Sequence, residues 1–450
     1  MSPNRRLSRR QVLRSAAATA PFFIAPAALG RCGFRPPSER INLGLIGVRN
    51  MGGYHLSTLL GNSDVQIVAV CDVMAATRES ARKKTNEHYA AKRDTSDFVG
   101  CEAYNEFEKV LERADVDAVV IATPDHWHAA IAIAACAAGK DVYCEKPLSL
   151  TVGEAGEMVR AARRYGRVFQ TGSQQRSSGE FLQACEIIRN GLIGDVKRVH
   201  VEIGPTSQHV VLAEEPIPAG LDYDRWLGPA PLAPYNVTRC GQDFVSGWRR
   251  IRDYSGGKLT DWGAHHFDIV QWALGMDESG PIEFIPPPTP PTGRPKPPPI
   301  INGPGASPLE PSWGMTIRYA GGVEIIKDGL NGLRFEGTQG VVEVNRGFLR
   351  TEPASLKNHR FGPRDVRLYA SRNHHQNWIE CIRSRARPIT DVAIGARSVT
   401  VCHLANIALW LDRMIRWDPV KEEIIGDPQA ARWLDRPRRA PYGLFGPSLV

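Results

Sequence analysis

"INLGLIGVRNMGGYHLSTLL", residues 41–60, runs from a short apolar stretch through a glycine-rich turn into a helical pattern. A strand that turns this sharply and resumes as a helix leaves backbone N–H groups and the positive helix end above the turn, a seat suited to a pyrophosphate. The following strand, "VQIVAVCD", ends at Asp72, twenty residues past Gly52. An acid at that spacing reaches the ribose hydroxyls of a dinucleotide. The glycine pattern is imperfect: counted from Gly47 as G-x-G-x-x-G, the second glycine is replaced by Arg49, whose guanidinium suits a phosphate oxygen.

Outward from this unit, "DAVVIATPDHWH" (117–128) and "DVYCEKP" (141–147) supply two more strands, separated by the helical "HAAIAIAACAAGK". Strands alternating with helices imply a parallel, doubly wound sheet, and we expect a Rossmann domain over 39–167. Ligands of such sheets bind beyond the carboxyl ends of the strands. The candidate cofactor residues are therefore Gly47, Arg49, Asn50, Met51 and Gly52 in the turn, Asp72, and Thr123, Pro124, His128, Glu145 and Lys146 at later strand ends. Asp72 favours NAD over NADP, because its carboxylate repels a 2′-phosphate. Asp125 opens a helix, where a capping role explains it nearly as well as a ligand contact.

From residue 168 the pattern changes. "VHVEIG" alternates, and "WGMTIRYAGGVEIIKDG" and "LRFEGTQGVVEV" read as strands joined by glycine-containing turns. We expect an α+β domain over 168–450 with a mainly antiparallel sheet, interrupted by a proline-rich surface loop at 286–311.

The chain has 450 residues, 42% hydrophobic and 23% charged, as in ordinary globular proteins, and is long enough for two cores. Its net charge is +8, but Arg5, Arg6, Arg9, Arg10 and Arg14 account for five of these charges, leaving +3. That is too little to argue for a nucleic-acid partner. The same segment, "SRRQVLR" followed by "SAAATAPFFIAPA", resembles a twin-arginine export signal within residues 1–31 and implies an exported, periplasmic protein. No later run reads as a membrane span. The nine cysteines form no C-x-x-C pair, and Cys71, Cys136, Cys144 and Cys402 read as buried thiols.

"KLTDWGAHHFD", residues 258–268, gathers two aspartates and two histidines. On one continuous helix, Asp261, His265 and Asp268 share a face and His266 turns away. This pattern suits a carboxylate-oriented imidazole or a metal site, and alone does not choose between them.

"EKPLSLT" (145–151), "ATPDHWH" (122–128) and "DWGAHHFD" (261–268) together resemble the Gfo/Idh/MocA oxidoreductases, over nearly the whole chain after residue 38. "TGSQQRSS", "WLGPAP", "GWRRIRDYSGGKLTDWGAHH" and "CHLANIALWL" further resemble a secreted bacterial branch of that family. The resemblance implies that Lys146, Asp261 and His265 are catalytic: the lysine hydrogen-bonds the reacting oxygen, and His265 is the acid/base, its ring oriented by Asp261 and its protonated form favoured. No metal is then needed.

Arg176, Trp248, Arg249, Tyr254 and His266 are candidate substrate residues. Asp268 reads equally as helix support or substrate contact, and His374, His375 and His403 read as structural. The expected activity is NAD(P)-dependent oxidation of a sugar, glycoside or cyclitol hydroxyl with tightly held nicotinamide. The alternatives are a redox-neutral NAD-dependent glycosidase and a non-catalytic sugar-binding protein. The expected partners are the small-molecule substrate and further copies of the chain, since the family's second sheet supports homo-oligomers.

Overall fold

A computed structural model describes residues 39–93, 100–201, 203–241, 247–288, 300–301, 314–327 and 332–444. The arginine-rich segment and nearly all of the proline-rich loop lie outside the described residues.

The first sheet is parallel. Its strands are β1 (Ile41–Ile46), β2 (Val65–Cys71), β3 (Glu102–Tyr104), β4 (Ala118–Ile121), β5 (Asp141–Cys144) and β6 (Phe169–Thr171), in the order β3-β2-β1-β4-β5-β6. Helices α1 (Asn50–Leu60), α2 (Ala75–Arg93), α3 (Phe107–Leu111), α4 (Asp125–Ala137) and α5 (Val152–Arg164) connect them. With both faces covered, β1, β2, β4 and β5 are buried almost throughout, which is why they read as continuous apolar runs.

β6 corrects the expected domain boundary. It lies past residue 167 yet pairs in parallel with β5 through Val142–Phe169 and Cys144–Thr171. Phe169 is fully buried there, a gain of roughly 1.5–3 kcal/mol for a side chain of this size.

The second domain holds a nine-stranded sheet beside α6 (Gly179–Arg189), α7 (Tyr223–Leu227), α8 (Lys258–Asp261) and α9 (Gly263–Leu274). Its central strand is β7 (Val196–Val201); β8 (Val210–Val211) lies apart, in a two-stranded pair described below. The others are β9 (Glu283–Ile285), β11 (Thr316–Arg318), β12 (Glu324–Lys327), β13 (Leu333–Gly337), β14 (Val341–Asn345), β15 (Phe348–Glu352), β16 (Ile415–Asp418) and β17 (Glu423–Ile424). The order is β15-β14-β13-β7-β12-β11-β9-β16-β17. β8 pairs with β10 (Ile300–Ile301) in that separate ribbon. The pairings of the large sheet are antiparallel except that of β7 with β12. β12 and β14 alternate buried and half-buried positions, as strands with one covered face do.

Two later helices, α10 (His374–Ser384) and α11 (Val392–Leu411), return to the first domain. Trp378 and Ile379 of α10 are fully buried in the same core as Leu43, Ile67 and Tyr143. Among the described residues α11 alone has the length and apolarity of a membrane span, but two thirds of it is buried inside the protein. It packs against α9 and α5, so its apolarity reflects a core position between the two sheets.

Candidate functional site

A cavity of about 680 Å³ opens at the carboxyl ends of β1, β2, β4 and β5 and extends to the second domain. At one end Gly47 and Gly52 cross closely. Gly47 has φ +79°, and a Cβ on Gly52 would stand 1.9 Å from the Gly47 carbonyl oxygen. Only glycines permit this turn. Arg49 is tolerated between them because its backbone is extended, φ −94° and ψ 167°, and no side chain caps the start of α1. The missing second glycine thus leaves the turn intact, and the helix end remains available to an anion.

Asp72 accepts backbone N–H bonds from Val48 (3.1 Å) and Met74 (2.9 Å), which fix its carboxylate beside the turn. Burial raises its pKa against the pull of those bonds and of Arg49 and Arg78. The turn, the uncapped helix and this acid fit a dinucleotide. Arg49, Asn50, Met51, Thr123, Pro124, Glu145 and Lys146 all line the same cavity. His128 does not. Its ring spans the carbonyls of Pro147 (2.8 Å) and Thr123 (2.9 Å), tying together the two loops that carry Thr123 and Lys146.

At the other end, Lys146 Nζ donates to Asp261 Oδ1 at 2.8 Å and to the Asp261 carbonyl at 3.1 Å. Arg249 Nε lies 3.8 Å from the same carboxylate oxygen, and its guanidinium stacks 4.3 Å above Trp248. Burial works to raise the Asp261 pKa, but Lys146, then Arg249 and Lys258, bring it below the usual carboxylate value.

His265 lines the cavity beside this pair and is 5% exposed. Its Nδ1 is enclosed and meets no hydrogen-bonding partner. The expectation that Asp261 orients His265 and favours its protonated form is corrected here: the carboxylate is committed to Lys146. Burial first, then the charges of Lys146 and Arg346, hold the imidazole pKa well below its ordinary 6.5. The cause is a break in the helix. α8 ends at Asp261 and α9 starts at Gly263, with Trp262 between them, so an angular count along one continuous helix does not apply.

The expected substrate residues separate into two groups. Trp248 and Arg249 line the cavity; Arg176, Tyr254 and His266 are not on its wall. Arg176 is 1% exposed and pairs with Asp268 (2.8 and 2.9 Å) and Asp277 (2.7 and 2.9 Å). Asp268 also accepts from Ser398 (2.7 Å), which places it as support for α9. Tyr254 is buried against Trp226, its hydroxyl 3.1 Å from Arg239. His266 packs on Trp262.

His374 reaches the Thr171 carbonyl (3.0 Å) and Ser177 (2.8 Å), and His403 reaches Ser149 (3.4 Å). Among the described residues no three His, Cys, Asp or Glu side chains converge as a metal site.

Sequence reasoning missed the support beneath Glu145. His55 Nε2 lies 2.9 Å from Glu145 Oε1, and His55 Nδ1 lies 2.7 Å from His375 Nε2. Burial works against ionisation of Glu145, yet His55 and Lys146 bring its pKa below the ordinary value. Arg346, from the β14–β15 turn, also reaches the cavity and lies 5.1 Å above the Trp262 ring. No local pattern announces either group, because their partners are distant in the chain.

Comparison with known proteins agrees with this geometry. The Gfo/Idh/MocA model described as an oxidoreductase family NAD-binding Rossmann fold matches residues 41–173. Its companion, an oxidoreductase family C-terminal alpha/beta domain, matches residues 204–288 and 310–444. An inositol 2-dehydrogenase of Salmonella typhimurium is 32% identical over 162 residues, covering 36% of this chain and 45% of that protein. An alpha-N-acetylgalactosaminidase of Shewanella oneidensis is 29% identical over 161 residues, 36% of this chain and 34% of that enzyme. The chain thus spans less than half the length of these two curated relatives. The WlbA dehydrogenase of Bordetella pertussis, solved with NADH and UDP-GlcNAcA, shares the fold at TM-score 0.58 and 17% identity, covering 84% of this chain and 99% of that one.

Proposed function

Because the chain belongs to the Gfo/Idh/MocA oxidoreductase family, with an NAD-binding Rossmann domain, we propose that it oxidises a hydroxyl of a sugar, glycoside or cyclitol. The observation that carries this reading is the Lys146–Asp261 pair beside a neutral His265, on the wall of the cavity that begins at Gly47 and Asp72. Bound NAD supplies the two-electron acceptor.

Asp261 takes up two contacts of the Lys146 ammonium, and an ammonium has three donors. The third points the lysine at the substrate oxygen, which it polarises. His265, kept as the free base by burial, takes the hydroxyl proton at Nε2, the nitrogen opposite the enclosed Nδ1. Trp248 and Arg249 bound the substrate on one side and exclude water. Asp72 holds the adenosine ribose and disfavours NADP.

The test is to denature the purified protein, identify any released nicotinamide, and screen myo-inositol, aldoses and glycosides against the native protein. Reduced nicotinamide formed with at least one polyol is expected; no reaction with any of them rejects the reading. The partial match to an alpha-N-acetylgalactosaminidase favours one second reading, a redox-neutral glycosidase, which releases aglycone without accumulating NADH.

We also propose export through the "SRRQVLR" signal. No soluble nicotinamide pool exists outside the cytoplasm, so NAD travels in the folded protein and is regenerated by a second carbonyl compound or by the product itself. Multiple turnovers in buffer without added NAD are expected, and strict dependence on free NAD counts against this. Self-association through the second sheet is tested by sedimentation.

A further inference from the structure

The cations on the cavity wall are Arg49, Lys146, Arg225, Arg249 and Arg346. Four of them have evident work. Arg49 stands in the pyrophosphate turn, Arg225 pairs with Glu108 (3.0 Å) and Glu106 (3.5 Å), and Lys146 and Arg249 face Asp261 at 2.8 and 3.8 Å. Arg346 differs. Among the described residues no carboxylate lies within ion-pair distance of its guanidinium. Acids beside its turn are engaged elsewhere: Glu343 pairs with Arg334 (2.8 Å) and Arg350 (2.9 Å), and Glu180 accepts from the Gly347 N–H (2.9 Å).

The side chain is nevertheless held in place. The Glu180 contact and a bond from the Arg346 N–H to Asn345 Oδ1 (2.8 Å) fix the turn it leaves from. Its guanidinium lies 5.1 Å above the Trp262 ring. With its amide turned so that both ends are satisfied, the buried Gln175 accepts from Arg346 Nε (3.3 Å) and donates to the His265 carbonyl (3.1 Å). These contacts use the face and the Nε of the guanidinium. Among the described residues its two terminal nitrogens have no protein partner.

Trp262 lines the same cavity, borders His265 with ring centroids 6.0 Å apart, and is 37% exposed despite the arginine above it. The cation and the proposed base therefore flank one open indole. A single sugar ring with its substituents bridges them. A stacked guanidinium with free terminal N–H groups matches a carboxylate in a two-pronged contact, and an aromatic wall takes the apolar face of a ring. We propose that Arg346 and Trp262 form a subsite for a carboxylate carried by the sugar whose hydroxyl is oxidised, so that the preferred substrates are sugar acids. The assignment rests on the polyol-oxidation reading above and narrows its substrate class.

The test compares the native protein with Arg346→Gln and Arg346→Lys, all loaded with NAD. The probes are D-glucuronate, D-galacturonate and D-mannuronate, the neutral parent aldose of each, and glucose 6-phosphate. Trp262 belongs to the proposed subsite, so intrinsic fluorescence reads binding without turnover. At least one uronate should bind native protein about 10- to 100-fold tighter than its parent aldose, the range for a hydrogen bond to a charged group. That ratio should fall to near one in Arg346→Gln and recover only in part in Arg346→Lys, which keeps the charge but loses the fork. NAD affinity should not change.

Uronates that bind no tighter than the parent aldoses, or a preference that survives Arg346→Gln, overturn the assignment and leave the polyol reading standing. Tighter binding of glucose 6-phosphate, lost in the same variant, overturns the carboxylate in favour of a phosphate. A parallel loss of NAD binding makes the residue structural and also overturns it. If the native protein neither binds nor oxidises any acidic or neutral sugar, cyclitol or glycoside, the polyol reading falls and this proposal with it.

Discussion

Replacing Arg176 with methionine tests whether this buried cation is architecture or substrate contact. The guanidinium makes four contacts of 2.7–2.9 Å to Asp268 and Asp277 and stacks 5.1 Å from the Trp272 ring. Asp268 is fully buried, and Ser398 is its other carboxylate contact. Removing the cation leaves a carboxylate enclosed in protein without its counter-charge, a loss of about 3–5 kcal/mol. At roughly 2–4 °C per kcal/mol for a domain of this size, the melting temperature should fall by about 6–20 °C.

The deficit should also depend on pH with a definite sign. Burial already raises the Asp268 pKa above its ordinary 3.8, and loss of Arg176 raises it further. The folded variant then binds a proton more tightly than the unfolded chain, so its stability rises as pH falls through the folded pKa. Thermal melts at pH 5 and pH 8 should therefore show a smaller deficit at pH 5, and adding Asp268→Asn should recover much of it. Normal stability with selectively weakened substrate binding would refute this reasoning and return Arg176 to the substrate site.

Gly52→Ala drives a methyl into the Gly47 carbonyl, and the ~1–3 kcal/mol of overpacking should weaken NAD binding about 10- to 100-fold by titration. His265→Ala should lower turnover by about 10² to 10⁴ with NAD content intact, and His266→Ala much less; equal losses argue against His265 as the base. Because the His265 pKa lies well below 6.5, native turnover should show no acid limb from this group above pH 6.5, and a midpoint at or above that value contradicts the assignment.

Stability should also fall on acidification. His126, His128, His265, His374, His375 and His403 are buried with lowered pKa values, so below pH 6.5 the unfolded chain takes up protons that the folded chain does not. The raised carboxyls Asp72, Asp125 and Asp268 oppose this but are fewer. A melting temperature that rises between pH 7 and pH 5 contradicts the balance.

The nucleotide-binding half was legible because its physics is local. β1, a turn with φ +79° at Gly47, and α1 are adjacent in sequence, and a strand covered on both faces must read as a continuous apolar run. The pairing of Asp261 was not legible. Helical arithmetic placed it beside His265, but the charge that claims it belongs to Lys146, 115 residues earlier. Arg176 looked like a substrate residue for the same reason, since an exposed and a doubly paired guanidinium have identical sequences. The boundary at 168 failed because the three residues of β6 are too short to show a period, and what places them is the edge of β5.

The return of α10 to the first core bears on how this protein is made. Trp378 fills a space among Leu43, Ile67 and Tyr143, and His375 braces the His55–Glu145 contact beneath the cofactor turn. While the ribosome is still making the middle of the chain, that first core lacks Trp378. The nucleotide seat is therefore finished by residues synthesised some two hundred positions after its own last strand. Cofactor capture is accordingly a late event in biogenesis, and a fragment ending before His374 should emerge with an open apolar seam and little grip on nucleotide.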